Sequence, residues 1–271
     1  MIAFLSLIAL SESVKIFIDP GHGGSDPGAC ANGMREADLV LTISKKIRTM
    51  LNEYQNVEIK FSREGDTSVG LSQRAQMANA WGANCFCSVH INAGGGTGFE
   101  SYIYTARYAG DVTYQNNMHP AIMAAIGGPD RGRKAANFAV VRETTMSAIL
   151  TENLFIDHGN DAARLRTDSF LTACARGHTN GFVKHYGLKK KDGPTPPTPG
   201  QLYRVQSGAF SVKANAENLK NRIKASGIDA FVVFHNNLYK VQCGAFANKN
   251  NAQSLLNQLK SKGFEGTLVY Y

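Results

Sequence analysis

The residues of this chain that could do chemistry gather at glycine-rich breaks. The first break, Ile18-Asp19-Pro20-Gly21-His22-Gly23-Gly24, closes a short apolar stretch and holds one histidine. The second, Ser88-Val89-His90-Ile91-Asn92-Ala93-Gly94-Gly95-Gly96, repeats the arrangement. Open α/β sheets place their ligands at the carboxyl ends of strands, so His22 and His90 are expected to converge on one edge. Glu36 follows His22 by fourteen residues, at the mouth of the first long helix. Two imidazoles and a carboxylate are a ligand set of catalytic zinc, which keeps a fourth position for water. Glu152 follows the apolar run Ala148-Ile149-Leu150-Thr151 and so reaches the same edge. A carboxylate there could take a proton from water and return it to a leaving amine.

Each residue also has a plainer reading. A histidine in a strand-end turn is more often structural than a ligand. Glu36 could be a helix N-terminal carboxylate, stabilised by the helix dipole. Glu152 could pair with Arg74 or Arg133. Phosphate binding is set aside, because neither a Gly-Lys-Ser/Thr ending nor a GxGxxG fingerprint is present. His119, His158, His178, His185 and His235 lack comparable contexts and are expected at the surface. The five cysteines (Cys30, Cys85, Cys87, Cys174, Cys243) are irregularly spaced, unlike a disulfide framework. Cys85 and Cys87 share one face of a strand and read as small buried hydrophobes.

The elements that must position these groups alternate. Residues 14–19, 57–61, 85–91, 99–104, 138–141 and 148–152 read as strands. Residues 37–51, 71–81, 111–126 and 161–186 read as helices, the first with apolar positions at a helical period. The pattern predicts an α/β fold, a mostly parallel twisted sheet with helices on both faces.

The 271 residues suffice for about two domains. With 43% apolar and 18% charged residues, the chain is neither disordered nor fibrous. No apolar run reaches the ~20 residues of a membrane span, so no transmembrane segment is expected. Residues 1–13 form an uncertain N-terminal extension or weak export signal, apolar but without the basic start a signal requires. Residues 14–187 make the first domain. Residues 188–200, with three lysines and four of the chain's eight prolines, read as an extended linker. The formal charge of +8 is concentrated beyond it.

Residues 201–271 contain a repeat of 36 residues, in which Tyr203, Val205, Gln206, Gly208, Ala209 and Phe210 recur as Tyr239, Val241, Gln242, Gly244, Ala245 and Phe246. Each copy reads strand, helix, strand, giving a small α+β domain of two βαβ repeats with both helices on one side. Strand alternation sends Val205 and Val241 toward the helices and leaves Arg204, Gln206, Lys240 and Gln242 on an open, basic face, a candidate binding surface.

Residues 14–186 resemble the zinc-dependent N-acetylmuramoyl-L-alanine amidases. The resemblance rests on IDPGHGGSDPGA at 18–29, Glu36, FSREGD at 61–66, LSQRAQMAN at 71–79, SVHINA at 88–93, DRG at 130–132 and AILTENLFIDHGND at 148–161. It implies one zinc ion held by His22, Glu36 and His90, with Glu152 as general base and then acid. The substrate would be peptidoglycan, cut between N-acetylmuramic acid and the L-alanine of the stem peptide. Asn153 and Leu154 stand where the family more often has small residues. No acidic insertion lies between His90 and Glu152, so the occluding helix of some relatives is expected to be absent. Residues 201–271 resemble a SPOR domain through the paired VQSGAF and VQCGAF strands. That likeness implies binding to glycan strands stripped of peptide.

Three other readings compete: a zinc peptidase or deacetylase on the same polymer, a C-terminal nucleic-acid binder, and a non-catalytic wall-binding protein. Nucleic acid is not expected as a partner, since the open face reads as amide and cation rather than the exposed aromatics that stack bases. The site of action would be the bacterial cell wall, reached by secretion or by release on lysis. An autolysin, a spore-release enzyme and a phage endolysin all satisfy that description.

Overall fold

The computed structural model describes residues 13–191 and 202–270. All but the last residue of the expected N-terminal extension lies outside the described residues, as does the proline-rich part of the expected linker. The chain divides into two compact units, Met1–Lys191 and Asp192–Tyr271.

In the first unit the chain runs β1 (Val14–Pro20), β2 (Cys30–Ala31), β3 (Met34–Arg35), α1 (Glu36–Leu51), β4 (Val57–Phe61), α2 (Leu71–Trp81) and β5 (Cys85–Asn92). It continues through β6 (Phe99–Ile103), α3 (Ala109–Ile126), β7 (Asp130–Ala135), α4 (Ala139–Arg142), β8 (Ser147–Phe155), α5 (Gly159–Leu165) and α6 (Asp168–Tyr186). Six strands form one sheet in the order β4-β1-β5-β8-β6-β7. All neighbours are parallel except β6 and β8. Alternation along the strands serves two cores. Ile16, Ile18, Cys85, Cys87 and Val89 pack under α1, α3 and α6. Phe17, Phe86, Ala148 and Leu150 face α2 and α4. Helices therefore cover both faces, and Cys85 and Cys87 are free thiols inside the first core.

The structure corrects two expected elements and the placement of two histidines. Residues 138–141 do not form a strand: Ala139–Arg142 is a short helix, and the strand is β7, just upstream. A run of four apolar residues carries no period that separates the two. The long final helix is two helices, because the Thr167 hydroxyl accepts from the Phe170 amide at 3.2 Å and starts α6 anew. His119 and His178 are buried, not at the surface.

The second unit is one antiparallel sheet, in the order β10-β11-β9-β12, built from β9 (Tyr203–Phe210), β10 (Phe231–His235), β11 (Leu238–Phe246) and β12 (Thr267–Tyr270). Helices α7 (Lys213–Ala225) and α8 (Lys249–Ser261) share its core with Val205, Val241 and Cys243. Among the described residues no helix is long and apolar enough to cross a membrane.

Candidate active site

His22 leaves the end of β1 in a left-handed conformation, φ 58°, which a residue with a side chain adopts only at a cost. Two buried arginines hold the turn. Arg74 donates to the carbonyls of Pro20 and His22, each at 2.7 Å. Arg63 donates to the carbonyls of Pro20, Gly21 and Ala37. Beneath them, fully buried Asp19 accepts from Ser62 at 2.6 Å, Ser88 at 2.7 Å and Arg74 at 2.8 Å. Arg74 is thereby committed to Asp19, and Arg133 pairs with Asn116. Neither arginine meets Glu152, the partner the plainer reading gave it.

The structure brings His22, Glu36 and His90 together. Glu36 is the first residue of α1, as the helix-terminus reading requires, but its carboxylate turns inward. Its Oε1 lies 3.1 Å from His22 Nε2 and 3.0 Å from His90 Nδ1, and it accepts from the Ile91 amide at 2.9 Å. Its Oε2 accepts from the Ala29 amide at 2.9 Å. One ligand atom from each residue falls within 4.8 Å of the others. On the far side of the His22 ring, Nδ1 meets Asp26 at 2.8 Å, which orients the ring and leaves Nε2 for the centre. The chain passes close here. A Cβ on Gly21 would run into the His90 ring, and one on Gly28 would lie 2.7 Å from Glu36 Oε2.

The electrostatics suit a cation. Burial alone would raise the Glu36 carboxyl, but hydrogen bonds from His22 and His90 outweigh it and hold the group well below the usual carboxylate range. Burial would lower His22, yet its bonds to Glu36 and Asp26 prevail and push it up to about 9. Two imidazoles drawn toward protonation around a buried anion mark a negative potential that a divalent cation would satisfy. The donor set, the spacing and the glycine-lined approach all fit a metal ion.

Glu152 is the register partner of His90 across β5 and β8. Its Oε2 is buried with no hydrogen-bond partner, and the side chain lines the same cleft as His22, Glu36 and His90. Burial pushes its carboxyl up to about 7; the charge of His90 opposes this, and Glu36 and Glu100 add to it. The cleft holds about 520 Å³, with Val69, Leu71, Phe138 and Val140 as an apolar wall. Helix α3 lies in the core beside α6 and leaves the cleft open. Just past Glu152, Leu154 is buried at φ 70°, a left-handed conformation that costs a residue with a side chain.

Several contributors escaped the sequence reading. Asp19, Arg63, Asp26 and Glu100 act through others; the first three lie inside the quoted motifs, and Glu100 lies in none of them. His119 bridges Ser101 at 2.8 Å and Asp130 at 2.9 Å. This resembles a hydrolytic triad, but Ser101 is fully buried, so the chain of bonds serves to tie α3 to β6 and β7. His178 sits between the Cys174 carbonyl at 2.9 Å and Thr151 Oγ1 at 3.0 Å, behind the strand that carries Glu152.

In the second unit, Arg204 and Gln242 line a shallow groove with Phe231, Val233, His235 and Ala245. Gln206 and Gln242 are register partners, and both are buried rather than open. Neighbouring strands cover these amides, which alternation alone does not reveal. Phe231, half exposed, also lies on this groove, so the face is less purely polar than expected.

Comparison with known proteins agrees with this geometry. The N-acetylmuramoyl-L-alanine amidase family matches residues 16–184, and the SPOR domain matches residues 186–234 and 199–270. The chain is 50% identical to the N-acetylmuramoyl-L-alanine amidase CwlM of Bacillus licheniformis, over 83% of this chain and 86% of that protein. It is 51% identical to the sporulation-specific N-acetylmuramoyl-L-alanine amidase of Bacillus subtilis, over 81% and 84%. It is 47% identical to the endolysin of Bacillus phage SPP1, over 68% and 70%. Among solved structures, the N-acetylmuramoyl-L-alanine amidase from Clostridium difficile 630 superposes with a TM-score of 0.63 at 30% identity, covering 65% of this chain and 98% of that one. The family match and these relatives define a hydrolase, built on an α/β fold. The chain belongs to the N-acetylmuramoyl-L-alanine amidase family and carries a SPOR domain, a peptidoglycan-binding module, after its catalytic domain.

Proposed function

We propose that His22, Glu36 and His90 hold one zinc ion and that Glu152 moves the proton during cleavage of the muramoyl–L-alanine amide. Zinc held there would polarise the amide carbonyl and bring the pKa of a water down to ~7. Asp26 fixes the His22 ring, and Glu36 is shared between both imidazoles. Glu152 stands one strand beyond His90, lines the same cleft and keeps one buried oxygen without a hydrogen-bond partner, and this observation carries the assignment. As a base it takes a proton from the attacking water. It then delivers that proton to the departing L-alanine nitrogen, since an amide anion is too basic to leave unprotonated.

The second unit would hold the enzyme on its polymer. We assign the glycan-facing role to the sheet face that bears Arg204 and Lys240, both partly exposed, with Gln206 and Gln242 buried in the same sheet and peptide-stripped glycan strands as the ligand. A weak second site raises the effective concentration of the catalytic domain at the wall. Secretion or release on lysis brings the enzyme there, and fractionation of intact growing cells separates the two routes.

Zinc titration into metal-free protein, followed by calorimetry, tests the metal assignment. One ion per chain is expected, with binding lost in His90→Ala. Unchanged zinc content in that variant would remove His90 from the ligand set.

A further inference from the structure

The functional groups stand on successive strands. His22 leaves β1, His90 is on β5, Glu152 on β8 and Glu100 on β6, with Arg131 and Lys134 on β7. Glu100 is the register partner of Glu152. It is almost wholly buried and fully engaged: Oε1 accepts from Asn92 at 2.7 Å and Tyr102 at 2.9 Å, and Oε2 from Arg131 Nε at 2.8 Å and from Lys134. One carboxylate thus faces two cations and two neutral donors. A single cation would neutralise it, and the pair leaves one positive charge over.

That charge is held outward and ready. Arg131 and Lys134 keep 36% and 37% side-chain exposure, against 4% for Glu100. Arg131 meets Glu100 through Nε, so its two Nη groups face away from that bond, and among the described residues no acceptor meets them. Its guanidinium lies 4.9 Å from the centre of the Phe155 ring, which fixes the fork. Tyr102 continues the row toward the cleft, its ring 5.2 Å from that of Phe138, one of the cleft's wall residues.

The chemistry gives the row a direction. This step rests on the proposed roles of the metal trio and Glu152. The acyl side of the scissile amide belongs at the trio, and the amine side belongs at Glu152, which protonates it. The released peptide therefore extends from β8 toward β6 and β7. Two strand spacings of ~4.8 Å separate Glu152 from the β7 cations. At ~3.5 Å per residue, an extended peptide covers that distance in two to three residues. We infer that Arg131 and Lys134 form a carboxylate-recognition site on the peptide side of the cleft, taking a carboxylate carried by the residue that follows L-alanine.

The test uses two muramoyl peptides that differ only at that second residue, one with a free carboxylate and one with a carboxamide. The full-length, zinc-loaded enzyme should prefer the carboxylate by about tenfold in kcat/KM, mainly through KM, the scale of one partly exposed charge-assisted bond. Arg131→Met and Lys134→Met should each bring that ratio toward one. The same ratio should appear in calorimetric binding of the two released peptides to metal-free protein. Thermal melts check that each variant folds, and Arg131→Gln replaces Arg131→Met if the latter does not. Equal losses on both substrates would place the cations behind Glu100 alone and overturn the inference, as would a wild-type ratio of one. Cleavage of neither substrate by the wild type would instead sink the amidase roles from which the direction was taken, and the inference with them.

Discussion

His90 and Glu152 are register partners on adjacent parallel strands, and beside them the Asn153 side-chain amide donates to the His90 carbonyl at 3.0 Å. The group assigned to the metal and the group assigned to the proton are therefore spaced by backbone hydrogen bonds rather than by loop packing. Elements of this kind hold a geometry to within the tolerance catalysis requires.

Glu152→Gln keeps the side-chain shape and removes the titrating group. Activity on muropeptides should fall by about 10²–10⁴-fold, the usual contribution of a positioned acid–base group. Zinc content should stay at the wild-type level. The melting temperature should not drop, because burying a carboxyl oxygen without a hydrogen-bond partner is itself a cost. Near-normal turnover would remove Glu152 from the mechanism.

Gly21→Ala places a methyl group against the His90 ring. The backbone there needs no left-handed conformation, so the effect should be local. Zinc affinity should weaken by about 10–100-fold, the range seen when ligand orientation is disturbed. Far-UV circular dichroism should be unchanged. Undiminished affinity would mean that the ring shifts aside without consequence.

Arg74→Met removes the guanidinium that is ion-paired with buried Asp19. Removing one partner of a buried pair costs about 3–5 kcal/mol, to be read from urea denaturation. The His22 carbonyl also loses its donor, so zinc affinity should fall in parallel. A stable variant with intact metal binding would show that the arginine clamp does not position His22.

His178 predicts an acid limit on stability. Burial holds its imidazole down at about 4, against an ordinary value of 6.5. The fold therefore keeps it neutral while the unfolded chain protonates, so the stabilisation is complete above pH 6.5 and is lost as the pH falls toward 4. The loss is on the order of 3 kcal/mol. His178→Gln should flatten the decline of stability with falling pH in that window, measured by chemical denaturation at a series of pH values. An unchanged slope would assign the acid sensitivity to other groups.

Removing residues 201–271 should weaken co-sedimentation with peptide-stripped glycan while sparing hydrolysis of small muropeptides. The two units have separate cores, so the first should keep its fold. Equal glycan binding with and without the second unit would remove its targeting role.

The sequence made the site easier to see than its supports. His22 and His90 are legible because a glycine-rich turn at the end of an apolar strand has few other uses, and Glu152 is legible because it follows an apolar run, although β8 continues past it to Phe155. Asp19, Arg63 and Arg74 form their network across residues 43 to 55 positions apart, and no local period encodes that. The helix of residues 139–142 differs from the expected strand because four apolar residues carry no usable period, and β7, Asp130–Ala135, is too charged to give an apolar strand signal at all. His119 and His178 were placed outside because a histidine on a helix shows neither its burial nor its partners. Gln206 and Gln242 fell on the expected strands, but their burial depends on what β10 and β12 lay across them.

The most direct test of the account is mass spectrometry of purified peptidoglycan digested by the zinc-loaded protein, beside a chelator-treated control and Glu152→Gln. The account predicts intact stem peptides with a free L-alanine amine, in the zinc-loaded wild type and not in the other two. Shortened stems or released acetate would contradict the assigned bond, and equal products in the chelated sample would contradict the metal site.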